Sequence, residues 1–134
     1  MGRLIDSSVF ITLERRGLSL AALPISGSET VALASVTASE LLVGVHRAGD
    51  ASRRARRESF VESVLAAVPV APFDLLVART HARLSAELAA AGNRIGEHDA
   101  MIAATALTHG FSVLTENRRD FDRVAGLVVE TPAW

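Results

Sequence analysis

Residues 95–121 read IGEHDAMIAATALTHGFSVLTENRRDF, and this stretch predicts a loop, a helix, a buried strand and a turn in succession. From Asp99 to Leu107 the sequence is apolar on almost every side, which is typical of a buried helix. Gly110 is placed to end that helix, because glycine readily adopts the left-handed conformation found after helix C-termini. Residues 111–114 have the length and apolar content of a buried strand. Polar residues follow at 115–117, where that strand should end.

The rest of the chain alternates short apolar strands with helices in the same way. Strands or extended segments are predicted at residues 3–5, 31–36, 69–72, 111–114 and 127–130. Helices are predicted at residues 9–16 (capped by Ser7 or Ser8), 37–48, 51–68 and 75–91 (capped by Asp74), and from Asp99 onward, with a short turn at 118–124. This alternation predicts an α/β fold with a mostly parallel sheet and helices on both faces. We expect one domain spanning residues 1–134.

The composition excludes several classes of function. No run of about 18 uncharged apolar residues exists, and the first residues lack a signal-peptide pattern, so we expect a cytoplasmic protein without a membrane-spanning helix. The absence of cysteine excludes disulfides and thiolate metal sites. All 14 basic residues are arginine, which excludes Schiff-base and P-loop lysine chemistry. With a net charge of −1, binding to nucleic acid would need a local basic patch.

Three acidic residues are predicted to meet at one edge of the sheet. Asp6 follows the first strand, while Glu40 and Asp99 are expected on the first turns of their helices. In an open parallel sheet, the carboxyl ends of the strands form the edge at which sites occur. Clustered carboxylates repel one another and raise each other's pKa. A hard divalent cation such as Mg²⁺ or Mn²⁺ would relieve that repulsion, because it prefers oxygen ligands.

Each of these polar residues also has a purely structural interpretation. Asp6 could cap the helix that follows it. The sequence from Thr37 to Glu40 is a capping-box pattern, in which the glutamate side chain would reach back to the Thr37 amide. Asp99 could only favour the positive end of its helix, and Asn117 could cap the turn after it. No single residue is decisive, but their common predicted location favours a site.

Four blocks of the chain carry a resemblance to a known family. They are LIDSS at 4–8, ASEL at 38–41, GEHDAMIAA at 96–104 and VLTENRRDF at 113–121, and the tail at 124–127 and 131–132 is similar too. Together they resemble the PIN-domain ribonucleases, and most closely the VapC-type toxins of bacterial toxin–antitoxin pairs. The resemblance spans nearly the whole chain in order. It implies an α/β/α sandwich, an acidic pocket that binds Mg²⁺ or Mn²⁺, and cleavage of RNA in single-stranded parts of structures such as tRNA or rRNA loops.

The resemblance also implies a set of site residues by position. The implied catalytic residues are Asp6, Glu40, Asp99 and Asn117, of which the first three would bind the metal. Secondary candidates are Ser8, Thr115, Glu116 and Asp120, the last interpreted first as a cap or an arginine partner. Asn117 stands where many members have a fourth aspartate, so one metal ion or two both remain open. A metal-activated water would attack the phosphodiester in line.

Arg53, Arg54, Arg56 and Arg57 form the only dense basic run. They could be a solvated helix face compensated by Glu58 and Glu62 at helical spacing, or a clamp for RNA phosphates. The segment 10–23 has two short apolar stretches that suggest an interface. The family implies a homodimer and a VapB-type antitoxin, through which the complex would also bind operator DNA. The alternative function is a non-catalytic protein- or RNA-binding module of the same fold.

Overall fold

The computed structural model describes residues 2–134, so that only Met1 lies outside it, and contains one five-stranded sheet with helices packed on it. The strands are β1 (Arg3–Ile5), β2 (Val31–Ala34), β3 (Val70–Ala71), β4 (Ser112–Leu114) and β5 (Val129–Glu130). The helices are α1 (Ser7–Arg15), α2 (Ser35–His46), α3 (Ala51–Ala67), α4 (Leu75–Ala90), α5 (Glu97–His109) and α6 (Arg118–Phe121). A 3₁₀ turn occupies Leu20–Ala22.

The strand order is β3-β2-β1-β4-β5, and every pairing in the described part of the chain is parallel. The central strand β1 pairs with β2 on one side, through Leu4 and Ala32, and with β4 on the other, through Leu4 and Val113. Because the strands run in the same direction, their carboxyl ends form one edge. The predicted α/β fold with a mostly parallel sheet is confirmed.

Side chains that alternate along β1 serve two separate cores. Leu4 packs in a cluster that contains Ile102 and Phe121, whereas Ile5 packs in a second cluster with Phe10 and Leu33. All six side chains are at most 1% exposed. Neighbouring residues on a strand point to opposite faces, so the two clusters cover the sheet on both sides. The carboxyl ends of the strands are left as the part of the sheet where polar side chains can meet.

The helix termini confirm two of the end signals predicted from the sequence and contradict a third. Asp74 accepts a hydrogen bond from the Val77 amide at 3.0 Å and caps α4, as predicted. Gly110 ends α5 with φ of 68°, a left-handed conformation that favours glycine. The predicted serine cap of α1 is wrong: Asp6 holds the N-cap position and makes no capping hydrogen bond, while Ser7 is already helical. Asp6 is engaged elsewhere, as described below.

The segment 10–23, where the sequence predicts an interface, is divided between the core and the surface of the protein. Phe10 and Leu13 are fully buried and Leu23 is 8% exposed. Only Ile11 and Leu18 of this segment remain as exposed large apolar side chains. In the second apolar stretch, residues 18–23, only Leu23 is buried, and the 3₁₀ turn Leu20–Ala22 contains no buried residue. An interface at this segment therefore stays a prediction.

The described helices of residues 2–134 include none that is both long and apolar enough to cross a bilayer.

Candidate active site

Asp6, Glu40 and Asp99 come from three different elements at the carboxyl edge of the sheet. Asp6 directly follows β1, where its amide donates to the Leu114 carbonyl at 2.9 Å, and its side chain is buried. Asp99 is the third residue of α5, in its first turn. Glu40 lies in the second turn of α2, rather than the first as predicted, because α2 begins at Ser35. The charge of Asp6 raises the pKa of both other acids, so the three carboxylates lie close together.

Two hydroxyl groups hold the carboxylate of Asp6 in place. Ser8 Oγ and Thr115 Oγ1 both donate to Asp6 Oδ2 at 2.8 Å. Each hydroxyl oxygen also accepts a backbone N–H at 3.0 Å, Ser8 from Glu116 and Thr115 from Asn117. The loop after β4 is thereby fastened to the acid that follows β1. Within residues 2–134, no donor is hydrogen-bonded to Asp6 Oδ1, which leaves that oxygen available to a ligand.

Glu40 has a buried carboxylate oxygen that accepts no hydrogen bond within residues 2–134. Its Oε1 has no hydrogen-bond partner in the described part of the chain, while Oε2 lies 3.8 Å from His98 Nδ1. Burial is the largest cause that raises the pKa of Glu40, followed by the charge of Asp6. A buried acceptor without a donor costs about 1–3 kcal/mol. The unpaired oxygen is therefore a position where a bound cation would stabilise the protein.

The capping-box interpretation of Glu40 is wrong. Helix α2 begins at Ser35, with Ala34 at the N-cap and no side-chain cap. Thr37 is therefore inside the helix, where its hydroxyl is buried and unpartnered among residues 2–134. Because Glu40 makes no bond to the Thr37 amide, its position is not explained by helix capping.

Asp99 is the acid whose ionisation the site perturbs most clearly. Its pKa is raised to about 6, first by burial and then by the charges of Asp6, Asp120 and Glu40, with a hydrogen bond to Asp120 adding to the shift. It lines an open cleft of about 500 Å³. The other residues lining this cleft are Glu116, Asn117, Arg118, Arg119 and Asp120.

The remaining polar candidates surround that cleft. Asn117 holds the N-cap position of α6 but makes no side-chain capping bond. Asp120 Oδ2 accepts from the Gly96 amide at 3.4 Å, and its Oδ1 is 4.0 Å from Arg123 Nη1. Asp120 therefore has the predicted arginine neighbour, and it also lies beside Asp99. These contacts tie α6 to the start of α5 across the cleft.

No group of three histidine, aspartate or glutamate side chains in residues 2–134 is arranged to bind one metal ion. The acids at the sheet edge are close enough to interact electrostatically. Mg²⁺ is commonly bound through one or two carboxylates and keeps several waters. The donor set at this edge, made of carboxylate oxygens and lacking sulfur, is of the kind that hard divalent cations prefer.

The basic run lies on α3, and its last residue, Arg57, lines one pocket together with Glu40. Arg53, Arg56 and Arg57 line a groove of about 400 Å³ with Arg15. Arg57 is held by Glu14 at 3.3 Å and by the Gly44 carbonyl at 3.2 Å.

The predicted compensation of this run by Glu58 and Glu62 is absent from the ion pairs of residues 2–134. The acidic partners are instead Asp50, which is 3.6 Å from Arg53, and Glu14. Among residues 2–134, Arg54 and Arg56 are the two arginines of the run without an acidic partner.

Trp134 contacts Glu116 at the wall of the cleft, and the sequence analysis did not anticipate this contact. Its indole N–H donates to Glu116 Oε1 at 2.5 Å, and Arg16 lies over its ring at 5.2 Å from the centroid. Trp134 lies outside any helical or strand pattern of apolar residues, and its contact joins the end of the chain to the loop that follows β4. The only signal available in the sequence was that it is the single tryptophan.

Comparison with known proteins agrees with this architecture. Residues 3–127 match the PIN domain. The chain is 38% identical to Ribonuclease VapC1 of Rickettsia felis, over 98% of this chain and 96% of the relative. It is 33% identical to the tRNA(fMet)-specific endonuclease VapC of Shigella flexneri, over 73% of this chain and 72% of the relative.

Two solved structures have the same fold. VapBC-5 of Mycobacterium tuberculosis, a member of the VapBC family of toxin–antitoxin systems, matches with a TM-score of 0.74 and 35% identity, over 97% of this chain and 95% of that one. DNA-bound VapBC of Salmonella typhimurium matches with a TM-score of 0.86 and 26% identity, over 98% of both chains. From the domain match and the full-length similarity to VapC1, the chain belongs to the PIN-domain family, among the VapC ribonucleases.

Proposed function

We propose that this protein is an endoribonuclease toxin that depends on Mg²⁺ or Mn²⁺ and cleaves structured RNA in tRNA or rRNA loops. The observation that carries the proposal is the cluster of Asp6, Glu40 and Asp99, in which the buried Glu40 Oε1 has no partner among residues 2–134. The relatives named as a ribonuclease and as a tRNA(fMet)-specific endonuclease support the substrate class.

Asp6, Glu40 and Asp99 are the carboxylates that would hold the ion, one or two of them directly and the others through its coordinated waters, because no three acids in residues 2–134 are arranged around one ion. The unpaired Glu40 oxygen and the raised pKa values of Glu40 and Asp99, to both of which the charge of Asp6 contributes, fit a site that needs positive charge. When bound, a divalent cation lowers the pKa of a coordinated water and neutralises charge on the scissile phosphate. Catalysis by the protein itself is then a matter of positioning and charge stabilisation rather than covalent chemistry.

The protein's own side chains have separate tasks in this mechanism. Ser8 and Thr115 fix Asp6 through Oδ2, so that Oδ1 is the oxygen directed to the ligand. Asn117 contributes an amide oxygen without charge at the cleft wall. Because asparagine attracts a cation less strongly than aspartate does, occupancy of a second metal position should be weak.

Cleavage of total RNA by the purified toxin without antitoxin tests the proposal. With Mg²⁺ or Mn²⁺ we expect discrete fragments, whose sequenced ends identify the loop that is cut, and with EDTA we expect none. Folded protein that cuts no RNA with either metal would contradict the proposal and favour a non-catalytic binding module.

We further propose a VapB-type antitoxin as partner, since the matching structures are VapBC assemblies, one of them bound to DNA. An antitoxin arginine is suited to neutralise the acids, because its planar guanidinium binds carboxylates in a bidentate manner. Operator DNA would be bound through the antitoxin, by a complex containing a toxin homodimer. Addition of the antitoxin should stop RNA cleavage at a stoichiometric ratio.

The stability of the metal-free protein should depend on the ionisation of Asp99. Its pKa of about 6 in the folded protein lies above the ordinary 3.8, so the folded state binds the proton more tightly than the unfolded state does. The resulting stabilisation is complete below about pH 4 and is lost as the pH rises through 6. After solvent screening we expect roughly 1 kcal/mol, or about 3–5 °C in Tm.

Thermal unfolding in EDTA from pH 4 to 8 measures this effect. The Tm difference between wild type and Asp99→Asn should change across this range, and Glu62→Gln, at an exposed site on α3, should follow wild type. At pH 7.5, Mg²⁺ should raise the Tm of wild type more than that of Asp99→Asn. Parallel profiles for wild type and Asp99→Asn, with equal responses to Mg²⁺, would contradict the assignment of Asp99.

The exposed arginines of α3 should bind the RNA backbone. We expect the Arg53→Ala/Arg54→Ala/Arg56→Ala variant to bind RNA more weakly than wild type. In a plot of the logarithm of the binding constant against the logarithm of the salt concentration, its slope should be shallower by up to about two. Arg57 is left intact because Glu14 and Gly44 hold it in the fold. Binding is measured by anisotropy of labelled RNA between 50 and 200 mM salt.

A variant of equal charge provides the control. Arg79, Arg83 and Arg94 are exposed residues outside α3, and their replacement by alanine removes the same three charges. If both triple variants lost affinity equally, the effect would come from net charge and the α3 clamp would be rejected.

A further inference from the structure

Trp134 lies beside the acidic cleft and has no role in the chemistry proposed above. Its indole N–H donates to Glu116 Oε1 at 2.5 Å, and Glu116 lines the same cleft as Asp99. The tryptophan is 37% exposed. A large aromatic ring is therefore presented to solvent one side chain away from the acids.

The position of the ring is fixed relative to the acids by a series of contacts. Glu116, which accepts from the indole, donates its backbone N–H to Ser8 Oγ at 3.0 Å. Ser8 Oγ in turn donates to Asp6 Oδ2 at 2.8 Å. On its other side, the ring is held by the guanidinium of Arg16 at 5.2 Å from the centroid. An ordered ring of this kind loses little conformational entropy when a ligand stacks on it.

The acid cluster by itself repels an RNA substrate. The charge of Asp6 raises the pKa of Glu40 and of Asp99, and the charge of Glu40 also raises the pKa of Asp99. Each phosphate of the substrate would add further negative charge to this site. Binding energy for RNA must therefore come largely from groups outside the cluster. An aromatic ring binds the π-face of any base, and arginine binds phosphate through its planar fork of donors.

We propose that Trp134 and Arg16 form a nucleotide-binding site for single-stranded RNA, with the indole stacked on a base beside the scissile phosphodiester and Arg16 on a neighbouring phosphate. This inference rests on the proposed ribonuclease function and names the residues that hold its substrate. Because every base has a π-face, this site supplies affinity and register rather than sequence preference.

Intrinsic fluorescence tests the stacking directly, because the chain contains one tryptophan and no tyrosine. Wild-type protein in EDTA is titrated with a ten-nucleotide single-stranded RNA that contains all four bases. We expect its fluorescence to be quenched in parallel with binding, which is followed by anisotropy of the labelled RNA. An abasic oligonucleotide of equal charge should quench far less. Absence of quenching by the RNA, or equal quenching by the abasic chain, would overturn the proposal.

Steady-state cleavage of the same RNA with Mg²⁺ distinguishes two roles of Trp134, which are stacking on an RNA base and holding the Glu116 side chain in position. Trp134→Ala should raise KM about ten-fold with kcat nearly unchanged. Trp134→Phe keeps an aromatic face but loses the N–H donor, so it should stay close to wild type. Arg16→Ala should raise KM and reduce its dependence on salt. Phe73→Ala, which removes an exposed ring outside the cleft, is the control and should change neither constant.

The outcomes distinguish this inference from the function on which it rests. A wild-type protein that cleaves RNA, with an unchanged KM for Trp134→Ala, would refute the nucleotide site and leave the nuclease in place. A fall in kcat alone, shared by Trp134→Phe, would show that the indole acts by holding Glu116. Absence of cleavage by wild type with any metal would instead refute the proposed function, even where quenching by RNA is observed.

Discussion

Asp99→Asn is expected to abolish metal-dependent RNA cleavage while the protein remains folded. The amide has nearly the same size as the carboxylate, but it lacks the charge through which Asp99 would bind the cation. Loss of one such electrostatic contribution in a preorganised site commonly lowers the rate by about 100- to 1,000-fold, and the loss of a metal ligand should reach the upper end of that range. Initial rates of fragment formation in Mg²⁺ measure the effect.

The same substitution should have the opposite effect on stability at neutral pH. The charges of Asp6, Asp120 and Glu40 oppose ionisation of Asp99, so a neutral side chain removes repulsion from the metal-free protein. We therefore expect Asp99→Asn to be at least as stable as wild type in EDTA at pH 7.5. Undiminished cleavage by Asp99→Asn would show that the acid cluster is not the catalytic site, whatever the stability.

Asp6→Asn should also abolish cleavage, and here the new amide group must keep the two hydrogen bonds that hold the Asp6 side chain. Ser8 and Thr115 both donate to Asp6 Oδ2, and an amide can keep these two bonds only if its oxygen takes that position. Circular dichroism spectra identical to wild type are expected, since an asparagine oxygen can still accept from both hydroxyls.

Phe121→Ala is expected to cost about 3–5 kcal/mol of unfolding free energy. The ring is 1% exposed and packs in the core that also contains Leu4 and Ile102. It is the last residue of α6, a helix of four residues whose N-cap side chain makes no bond. Packing of Phe121 is therefore the main anchor of the wall formed by Asn117 and Asp120. Urea unfolding monitored by circular dichroism measures the loss.

Comparison with two further variants identifies the cause. Phe121→Leu refills most of the volume and should cost less than half as much, whereas Phe73→Ala at an exposed ring should cost under about 1 kcal/mol. Below its melting temperature, Phe121→Ala should also cleave RNA more slowly than Phe121→Leu. A loss within 1 kcal/mol for Phe121→Ala would mean that α6 is held by other contacts.

The fold could be predicted where a pattern of neighbouring residues agreed with the general rules for how parallel strands are connected. The helix from Asp99 is apolar on nearly every side, and α5 is buried as this predicts, with Ala103 and Ala104 fully inaccessible. Asp6 follows directly after a short apolar run, and parallel strands bring such positions to one edge. Both inferences depended on residues close in sequence and on the direction of the strands.

The start of α2 could not be predicted in the same way. Residues 31–36 are continuously apolar apart from Ser35, and such a run does not distinguish a buried strand from the first turn of a buried helix. The helix begins with no capping side chain, so the capping-box pattern at Thr37 was the strongest local signal and gave the wrong boundary. The unpartnered oxygen of Glu40 and the Trp134 contact depend on packing between distant segments, which no local pattern encodes.

The central position of β1 has a consequence for the synthesis of this protein on the ribosome. Asp6 receives a hydrogen bond from Thr115, which lies 109 positions later in the chain, and β1 pairs with β4 as well as β2. At translation rates of about 5–20 residues per second, roughly 5–20 s separate the first acid from its donor. The pocket is completed only when nearly the whole chain has been made. The nascent chain therefore cannot assemble its acidic pocket during most of its elongation, so any activity of that pocket begins only after synthesis is nearly finished.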